Sequence, residues 1–140
     1  MTSAVTKVIL HAEDESAHAT IVRKALQGNF SDVQLIQVED GRVALDYLYR
    51  TGVYEDSAVS LRPDLILLDL RMPRMSGLEV LSVVKKDPEL QAIPVVVLTT
   101  SDLLVDRSAA HTCGADGYLV KPDDFDKFVV MISELCAVWL

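Results

Sequence analysis

The residue of this chain best placed to do chemistry is Asp69, which directly follows the apolar run Leu65–Leu68. Four consecutive apolar residues with prolines on both sides predict a short strand that is buried on both faces, as in a parallel sheet. Ligands of open α/β sheets bind at the carboxyl ends of the strands, so the Asp69 carboxylate is predicted to lie at such a site. The same acid could instead cap the following helix. The ends of the other strands decide between the two roles.

Polar residues follow three more apolar runs in the same way. Glu13 and Asp14 follow the first run, and Thr99 and Lys121 end the fourth and the fifth. Because parallel strands bring their carboxyl ends to one edge of a sheet, these side chains should converge with Asp69 in one crevice. Clustered carboxylates repel one another unless a cation neutralises them, and Mg²⁺ prefers such oxygen ligands. A hydroxyl and an ammonium beside them suit an anionic oxygen, so the set predicts phosphoryl transfer to a carboxylate nucleophile.

Hydrophobic periodicity predicts five strands that alternate with five helices. The predicted strands are Lys7–Ala12, Val33–Val38, Leu65–Leu68, Val95–Leu98 and Gly117–Lys121. Asp102 is predicted to cap the fourth helix, and residues 53–62 lack firm periodicity, which predicts a surface loop of about ten residues. Strands that alternate with helices predict a parallel sheet with helices on both faces.

The composition favours a single folded unit and limits its partners. The chain has 140 residues, of which 50% are hydrophobic and 24% charged, which is enough for one sizeable core. We therefore expect one domain over residues 1–140. The net charge of −8 disfavours binding to a nucleic-acid backbone, which needs clustered lysine and arginine. Without a secretion signal or a run of about 18 apolar residues, the chain is expected to be cytoplasmic and not inserted in a membrane.

Two cysteines and three histidines are assigned no chemistry. Cys113 and Cys136 lack CxxC spacing and a paired histidine motif, so reduced, partly buried thiols are expected rather than a zinc or redox centre. The histidines lie on separate predicted elements, which disfavours a cluster of histidine ligands. They are His11, His18 and His111.

These motifs resemble the receiver domain of two-component response regulators over essentially the whole chain. The resemblance rests on Glu13-Asp14 after the first strand, on the segment Leu67–Pro73 with Ser76-Gly77 after the third, on Thr99, and on the segment Gly117–Pro122. Four motifs in the family's order, each at a strand end, carry the assignment. It implies the flavodoxin-like α/β fold, a doubly wound five-stranded parallel sheet of strand order 2-1-3-4-5 with five helices. It also implies a single receiver domain without an output domain.

The resemblance implies a role for each residue of the crevice. Asp69 would accept a phosphoryl group from a phosphohistidine of a sensor histidine kinase, and Lys121 would pair with it. Asp14 and Asp69 would bind Mg²⁺, for which Mn²⁺ can substitute. The backbone carbonyl of Arg71 would be a further ligand, and Glu13 would act through a water molecule or as a weaker ligand.

Thr99 and Tyr118 would form the switch of the family. Thr99 would move toward the phosphoryl group and draw Tyr118 inward, although a core aromatic residue with a hydrated hydroxyl is an equal interpretation of Tyr118. Arg71 and Ser101 each lie two residues past a site residue, at positions that tune attack by water on the phosphoaspartate in this family. Arg71 could shield the phosphoryl group or be a solvated side chain. The peptide bond before Pro122 is usually cis in this family.

A narrower resemblance concerns the partner. The loop before Arg62, the segment Pro94–Ser101 and the segment Lys121–Phe128 resemble the small stand-alone response regulators of cyanobacterial phytochromes. This resemblance implies a phytochrome-like, light-sensing histidine kinase upstream. The chain would then be a phosphoacceptor signalling protein rather than an enzyme, and it would reach a downstream protein through its own surface.

The last predicted helix carries more apolar residues than its buried stripe requires. Val130, Met131, Val138 and Leu140 lie outside that stripe. This surplus predicts a two-fold homodimer through the fourth helix, the fifth strand and the fifth helix. The alternative is that the end of the chain folds back onto its own core.

Three other functions are compatible with the nucleophile or the fold. A phosphatase with an aspartate nucleophile generally needs a second acid two residues later, where this chain has Arg71. A nucleotide or flavin binder would need a glycine-rich phosphate loop, which follows none of the strands. A receiver-like interaction module that works without phosphorylation is the main alternative. The intact set of Asp14, Asp69, Thr99 and Lys121 disfavours it, and phosphate acceptance distinguishes the two.

Overall fold

Each predicted strand forms part of one parallel sheet in the computed structural model, which describes residues 7–30, 32–55 and 61–140. The strands are β1 (Lys7–Ala12), β2 (Val33–Val38), β3 (Leu65–Leu68), β4 (Val95–Thr99) and β5 (Gly117–Val120). The helices are α1 (Ser16–Asn29), α2 (Gly41–Tyr49), α3 (Gly77–Lys86), α4 (Leu104–Thr112) and α5 (Phe125–Trp139), and a 3-10 turn spans Gly52–Tyr54. The strand order β2-β1-β3-β4-β5 confirms the predicted flavodoxin-like topology.

The helices divide the core into two layers, one on each face of the sheet. Successive strand residues point to opposite faces, so in β3 Ile66 and Leu68 pack with helices α2, α3 and α4. Leu65 and Leu67 pack with helices α1 and α5. All four β3 side chains are fully buried, which explains why this strand is apolar without alternation.

Backbone pairing continues one residue past the strands and orients the residues that follow them. Ala12 of β1 pairs with Leu68 of β3, and the Asp69 amide donates to the Ala12 carbonyl at 3.2 Å. The Lys121 amide donates to the Thr99 carbonyl at 2.7 Å. The ladder therefore holds these strand ends in register at one edge of the sheet.

Two glycines allow the segment after β3 to pack tightly. A Cβ atom at Gly77 would lie 2.0 Å from the Asp69 carbonyl oxygen, and one at Gly41 would lie 2.2 Å from the Met75 carbonyl oxygen. Ser76 caps α3 in a capping box with Glu79, so the helix begins directly against this segment. The first turns of α2 and α3 thus pack closely against the segment that follows Asp69.

The structure differs from two predictions about individual elements. Asp102 does not cap α4, because its carboxylate accepts from Arg107 at 2.9 Å and the N-cap residue is Leu103. The predicted loop over residues 53–62 overlaps the 3-10 turn at its start, where Val53 is exposed. Residues 56–60 of this loop lie outside the described residues.

Within the described ranges, no helix combines the length and the apolar character needed to cross a membrane.

Candidate functional site

A buried lysine lies between two carboxylates at the carboxyl edge of the sheet. The Lys121 Nζ atom lies 2.9 Å from Asp69 Oδ2 and 2.5 Å from Glu13 Oε1. All three residues are buried, and each follows a different strand, β5, β3 and β1. The structure therefore brings together three residues that the sequence predicted to converge.

The two carboxyl groups titrate differently although they share one ammonium. Burial raises the pKa of Glu13 to about 7, and Lys121 only partly opposes this shift. Burial also acts to raise the pKa of Asp69, but the charge and hydrogen bond of Lys121, together with hydrogen bonds to Glu13 and the Arg71 amide, outweigh it and hold that pKa below its ordinary value. Asp69 is therefore an ionised carboxylate at neutral pH, as a nucleophile must be.

Three acidic side chains form a cluster that fits a divalent cation. Glu13, Asp14 and Asp69 each place one carboxylate oxygen within 4.8 Å of the other two. Asp14 is exposed, whereas the other two are buried. A set made only of oxygen ligands suits hard cations such as Mg²⁺ or Mn²⁺. The Arg71 amide donates to Asp69 Oδ1 at 3.3 Å, so the backbone of Arg71 lies against the same carboxylate.

The two candidate switch residues are joined through Ser101. Thr99 is buried, and its Oγ1 atom accepts from the Ser101 amide at 3.4 Å. The Tyr118 hydroxyl donates to the Ser101 carbonyl at 2.9 Å, and the Arg107 guanidinium lies 4.7 Å from the centre of the Tyr118 ring. Tyr118 thus packs partly against the core while its hydroxyl contacts the segment that follows Thr99.

Two histidines that the sequence analysis left without a role lie at the site. The Nδ1 atom of His18 is 3.0 Å from Lys121 Nζ, and burial, aided by Lys121, lowers the pKa of His18. Since an ammonium only donates, the neutral imidazole is its acceptor. A sequence signal existed, because His18 follows Asp14 by four residues, about one helical turn, at the start of α1.

The second histidine, His11, is buried on β1. Its Nε2 atom lies 4.0 Å from Glu13 Oε1, beyond hydrogen-bond distance, and its Nδ1 atom is 3.1 Å from Gln37 Nε2. Burial, with Lys121 contributing, lowers the pKa of His11 to about 3, so the ring is neutral. It adds no charge to the site. The cysteines Cys113 and Cys136 are free thiols, as expected.

The expected cis peptide bond is not found. The bond between Lys121 and Pro122 is trans, which is the isomer of lower energy for most bonds that precede proline. The prediction taken from the family was therefore wrong at this position. The Lys121 side chain reaches both carboxylates from this backbone.

Comparison with known proteins agrees with this geometry. The response regulator receiver domain family matches residues 9–133. The chain belongs to this family. Response regulator Rcp1 of Synechocystis sp. (strain ATCC 27184 / PCC 6803 / Kazusa) is 40% identical over 134 residues, which are 96% of this chain and 89% of that protein.

Solved structures of receivers superpose closely on this one. The crystal structure of the Mn²⁺-bound form of Rcp1 matches with a TM-score of 0.88 and 40% identity, over 96% of this chain and 94% of that chain. The crystal structure of the phosphorylated cyanobacterial phytochrome response regulator RcpA matches with a TM-score of 0.89 and 34% identity, over the same shares of the two chains. This receiver is therefore a signalling protein related to phytochrome response regulators, as the sequence motifs predicted.

Proposed function

We propose that this receiver accepts a phosphoryl group from a sensor histidine kinase onto Asp69. The observation that carries the proposal is the Asp69 carboxylate at the carboxyl edge of the sheet, with Lys121 Nζ at 2.9 Å and the carboxylates of Glu13 and Asp14 beside it. In the transfer, an Asp69 oxygen forms a bond to phosphorus while the bond from phosphorus to the kinase histidine nitrogen breaks. The electron pair of that bond returns to the imidazole.

Lys121 and Thr99 would stabilise the transferred group. The Lys121 ammonium pairs with the carboxylate before transfer and would contact the phosphoryl oxygens afterwards. The Thr99 hydroxyl would donate to the same oxygens, and Ser101, which contacts both Thr99 and Tyr118, connects the two residues. The new dianion would thereby change the position of Thr99 and Tyr118, and with it the face formed by α4, β5 and α5.

The acidic cluster supports a requirement for Mg²⁺, with Mn²⁺ as a substitute. Asp14, Asp69 and the Arg71 carbonyl would hold the cation, with Glu13 as a weaker or water-mediated ligand. When bound, the cation neutralises charge on the carboxylates and on the phosphoryl oxygens. The relative Rcp1 has been solved in a Mn²⁺-bound form, which agrees with this choice of ions.

The upstream partner we propose is a phytochrome-like histidine kinase in the cytoplasm. Support comes from the similarity to Rcp1 and to the phytochrome response regulator RcpA. We propose no enzymatic activity beyond the protein's own phosphorylation and dephosphorylation. Its output would be contact with a downstream protein rather than with nucleic acid, since the net charge is −8.

A second copy of this chain is the proposed occupant of the groove between β5 and α5. The groove has a volume of about 550 Å³, and its lining includes the apolar residues Leu119, Val130 and Val138. Val138 is 75% exposed, and β5 is an edge strand of the sheet. Lys127 and Glu134 also line the groove, so a two-fold arrangement could pair opposite charges between copies.

The test of phosphoacceptance compares the wild type with Asp69→Asn by intact mass. Each is incubated with acetyl phosphate, or with a phosphorylated histidine kinase, in the presence and absence of Mg²⁺. The wild type should gain one phosphoryl group only with the metal, and Asp69→Asn should gain none. A metal-dependent adduct on Asp69→Asn would show that another residue is the acceptor. Absence of an adduct on the wild type with both donors would favour the interaction module that works without phosphorylation.

A further inference from the structure

An acid on α4 joins the two segments that flank Asp69. The Asp106 Oδ2 atom accepts from the Arg71 guanidinium at 3.0 Å, and it also accepts from the Ser101 hydroxyl. Arg71 lies two residues after Asp69, and Ser101 lies two residues after Thr99. We call the set of Arg71, Asp106 and Ser101 the Asp106 bridge. It connects the chain that leaves β3 with the chain that leaves β4.

The Ser101 end of the bridge is well anchored. Its amide contacts Thr99, its carbonyl accepts from Tyr118, and its hydroxyl oxygen accepts from the Leu103 amide at 3.3 Å. Every polar group of Ser101 therefore has a partner at the beginning of α4 or at the switch residues.

At the other end of the bridge, Arg71 contacts Asp69, the proposed phosphoryl acceptor. The Arg71 amide donates to Asp69 Oδ1, while its guanidinium reaches Asp106. The Arg71 side chain is 70% exposed and the Asp106 side chain only 17%. The arginine thus lies on the surface, held by a mostly buried carboxylate.

Hydrolysis of the phosphorylated protein needs access for water at this edge of the sheet. The water oxygen forms a bond to phosphorus as the bond from phosphorus to the Asp69 oxygen breaks. The electron pair of the broken bond returns to the Asp69 carboxylate, and inorganic phosphate and one proton leave. The attacking water must approach roughly in line with the breaking bond, from the side away from Asp69. Side chains that lie across the mouth of the site therefore limit the rate.

We propose that Asp106 is a positioning residue that slows this hydrolysis by holding Arg71 and Ser101 across the mouth of the site. The inference rests on the proposed function of Asp69. Arginine has a long side chain with considerable rotamer freedom, so without its carboxylate partner Arg71 would leave the mouth for much of the time. Asp106 contacts the side chain of Arg71, not its backbone carbonyl, and forms no hydrogen bond with Asp69, so it acts only through Arg71 and Ser101.

The test measures the loss of the phosphoryl group after the donor is removed. The wild type, Asp106→Ala, Arg71→Ala and the double variant are phosphorylated with acetyl phosphate and Mg²⁺, desalted, and followed by intact mass. Each single variant should lose the group about two- to fivefold faster, the range expected when a partly exposed ion pair is lost. The double variant should be no faster than the faster single variant, because both changes remove the same bridge.

Matched controls separate positioning from a general loss of structure. Asp102→Asn removes an acid that lies just before the same helix and pairs with Arg107, and it should leave the lifetime unchanged. Asp106→Glu keeps the carboxylate and should restore part of the wild-type lifetime. Acetyl phosphate reaches Asp69 along the same in-line path as the attacking water, so Asp106→Ala should be phosphorylated at least as fast as the wild type. A general loss of structure would instead slow phosphorylation.

Several results would overturn the inference. An unchanged or longer lifetime in Asp106→Ala would show that the bridge does not restrict water. Rate increases that multiply in the double variant would show that Arg71 and Asp106 act separately. If the wild type accepts no phosphoryl group at all, the proposed function fails first and this inference fails with it, which distinguishes the two failures.

Discussion

Lys121 donates to three acceptors at once, the two carboxylates of Glu13 and Asp69 and the imidazole of His18. An ammonium has three protons, so its donor capacity is used completely before any phosphoryl group arrives. One positive charge cannot keep two buried carboxylates ionised equally well. Burial raises the pKa of Glu13 to about 7 because the shared ammonium offsets the cost of burying this charge only in part, whereas Asp69 keeps its negative charge.

This asymmetry predicts a pH dependence of metal binding. A cation that uses Glu13 must displace the proton of that carboxyl group, so Mg²⁺ affinity should rise as pH increases toward and through about 7. One displaced proton corresponds to at most about tenfold per pH unit below that pKa. Calorimetric titration with Mg²⁺ at pH 6, 7 and 8 measures the change.

Glu13→Gln is the matched variant for this measurement, because it keeps the size of the side chain and removes its titration. Its Mg²⁺ affinity should be lower at pH 8 and nearly constant across the same range. Equal affinities at pH 6 and pH 8 in the wild type would contradict the prediction. So would an unchanged pH dependence in Glu13→Gln.

At the scale of elements, the site depends on how closely α3 packs against the segment that follows β3. Gly77 is the first residue of α3, and its amide donates to the Leu70 carbonyl at 2.9 Å. The missing side chain lets the helix lie against the backbone of Asp69 itself. The position of Asp69, the proposed phosphoacceptor, is thus coupled to the start of a helix on one face of the sheet.

Substitution Gly77→Ala should therefore disturb both stability and function. The added methyl group would overlap the Asp69 carbonyl oxygen at 2.0 Å, and overpacking of this kind costs about 1–3 kcal/mol in the free energy of unfolding. Displacement of the Asp69 backbone should also slow phosphorylation by acetyl phosphate. Urea unfolding and intact mass measure the two effects.

Gly28→Ala is the control for this substitution. Gly28 lies within α1 and has no atom within 4 Å of an added Cβ. Alanine is a better helix former there, so the free energy of unfolding should rise by up to about 1 kcal/mol and phosphorylation should not change. A Gly77→Ala protein as stable as the wild type would show that the packing of α3 is looser than the structure indicates.

At the scale of the whole molecule, the β5 edge of the sheet lies beside exposed apolar side chains. The β5 edge adjoins exposed valines of α5, and α4 adds Leu104 and Val105, which are also exposed. Exposed apolar side chains grouped on neighbouring elements mark an interface more often than a solvated face. Since Tyr118 belongs to β5 and contacts Ser101, this face is also connected to the segment that follows Thr99 at the proposed phosphorylation site.

The proposed homodimer should accordingly weaken in Val138→Asp. Two-fold symmetry would bring a carboxylate from each copy into the same apolar interface, where unpaired charge is costly. Light scattering at micromolar concentrations, with and without beryllofluoride, measures the association. Val53→Asp places the same charge at an exposed valine on the turn after α2 and should not affect association. A wild type that is monomeric under both conditions would rule out the dimer.

Local sequence pattern was sufficient to predict the parallel sheet and the main components of the site, whereas the strand order was predicted from the resemblance to the receiver family. Apolar runs predict buried strands, and alternation with helices predicts a parallel sheet, whose carboxyl ends must share one edge. That reasoning placed Glu13, Asp69 and Lys121 together before their side-chain positions were known. This prediction depends only on the direction of the strands and on which residues are buried. Local hydrophobic periodicity indicates both the strands and their buried residues.

Contacts between side chains of distant elements were decided only by the tertiary structure. His18 and Lys121 are 103 positions apart, and Arg71 and Asp106 are 35 apart. Whether such pairs meet depends on the angle at which a helix packs and on the rotamers that the packing allows, and no local pattern encodes either. The sequence by itself therefore determined which strand ends carry the chemistry. The packing of α1 and α4 determined which further side chains reach it.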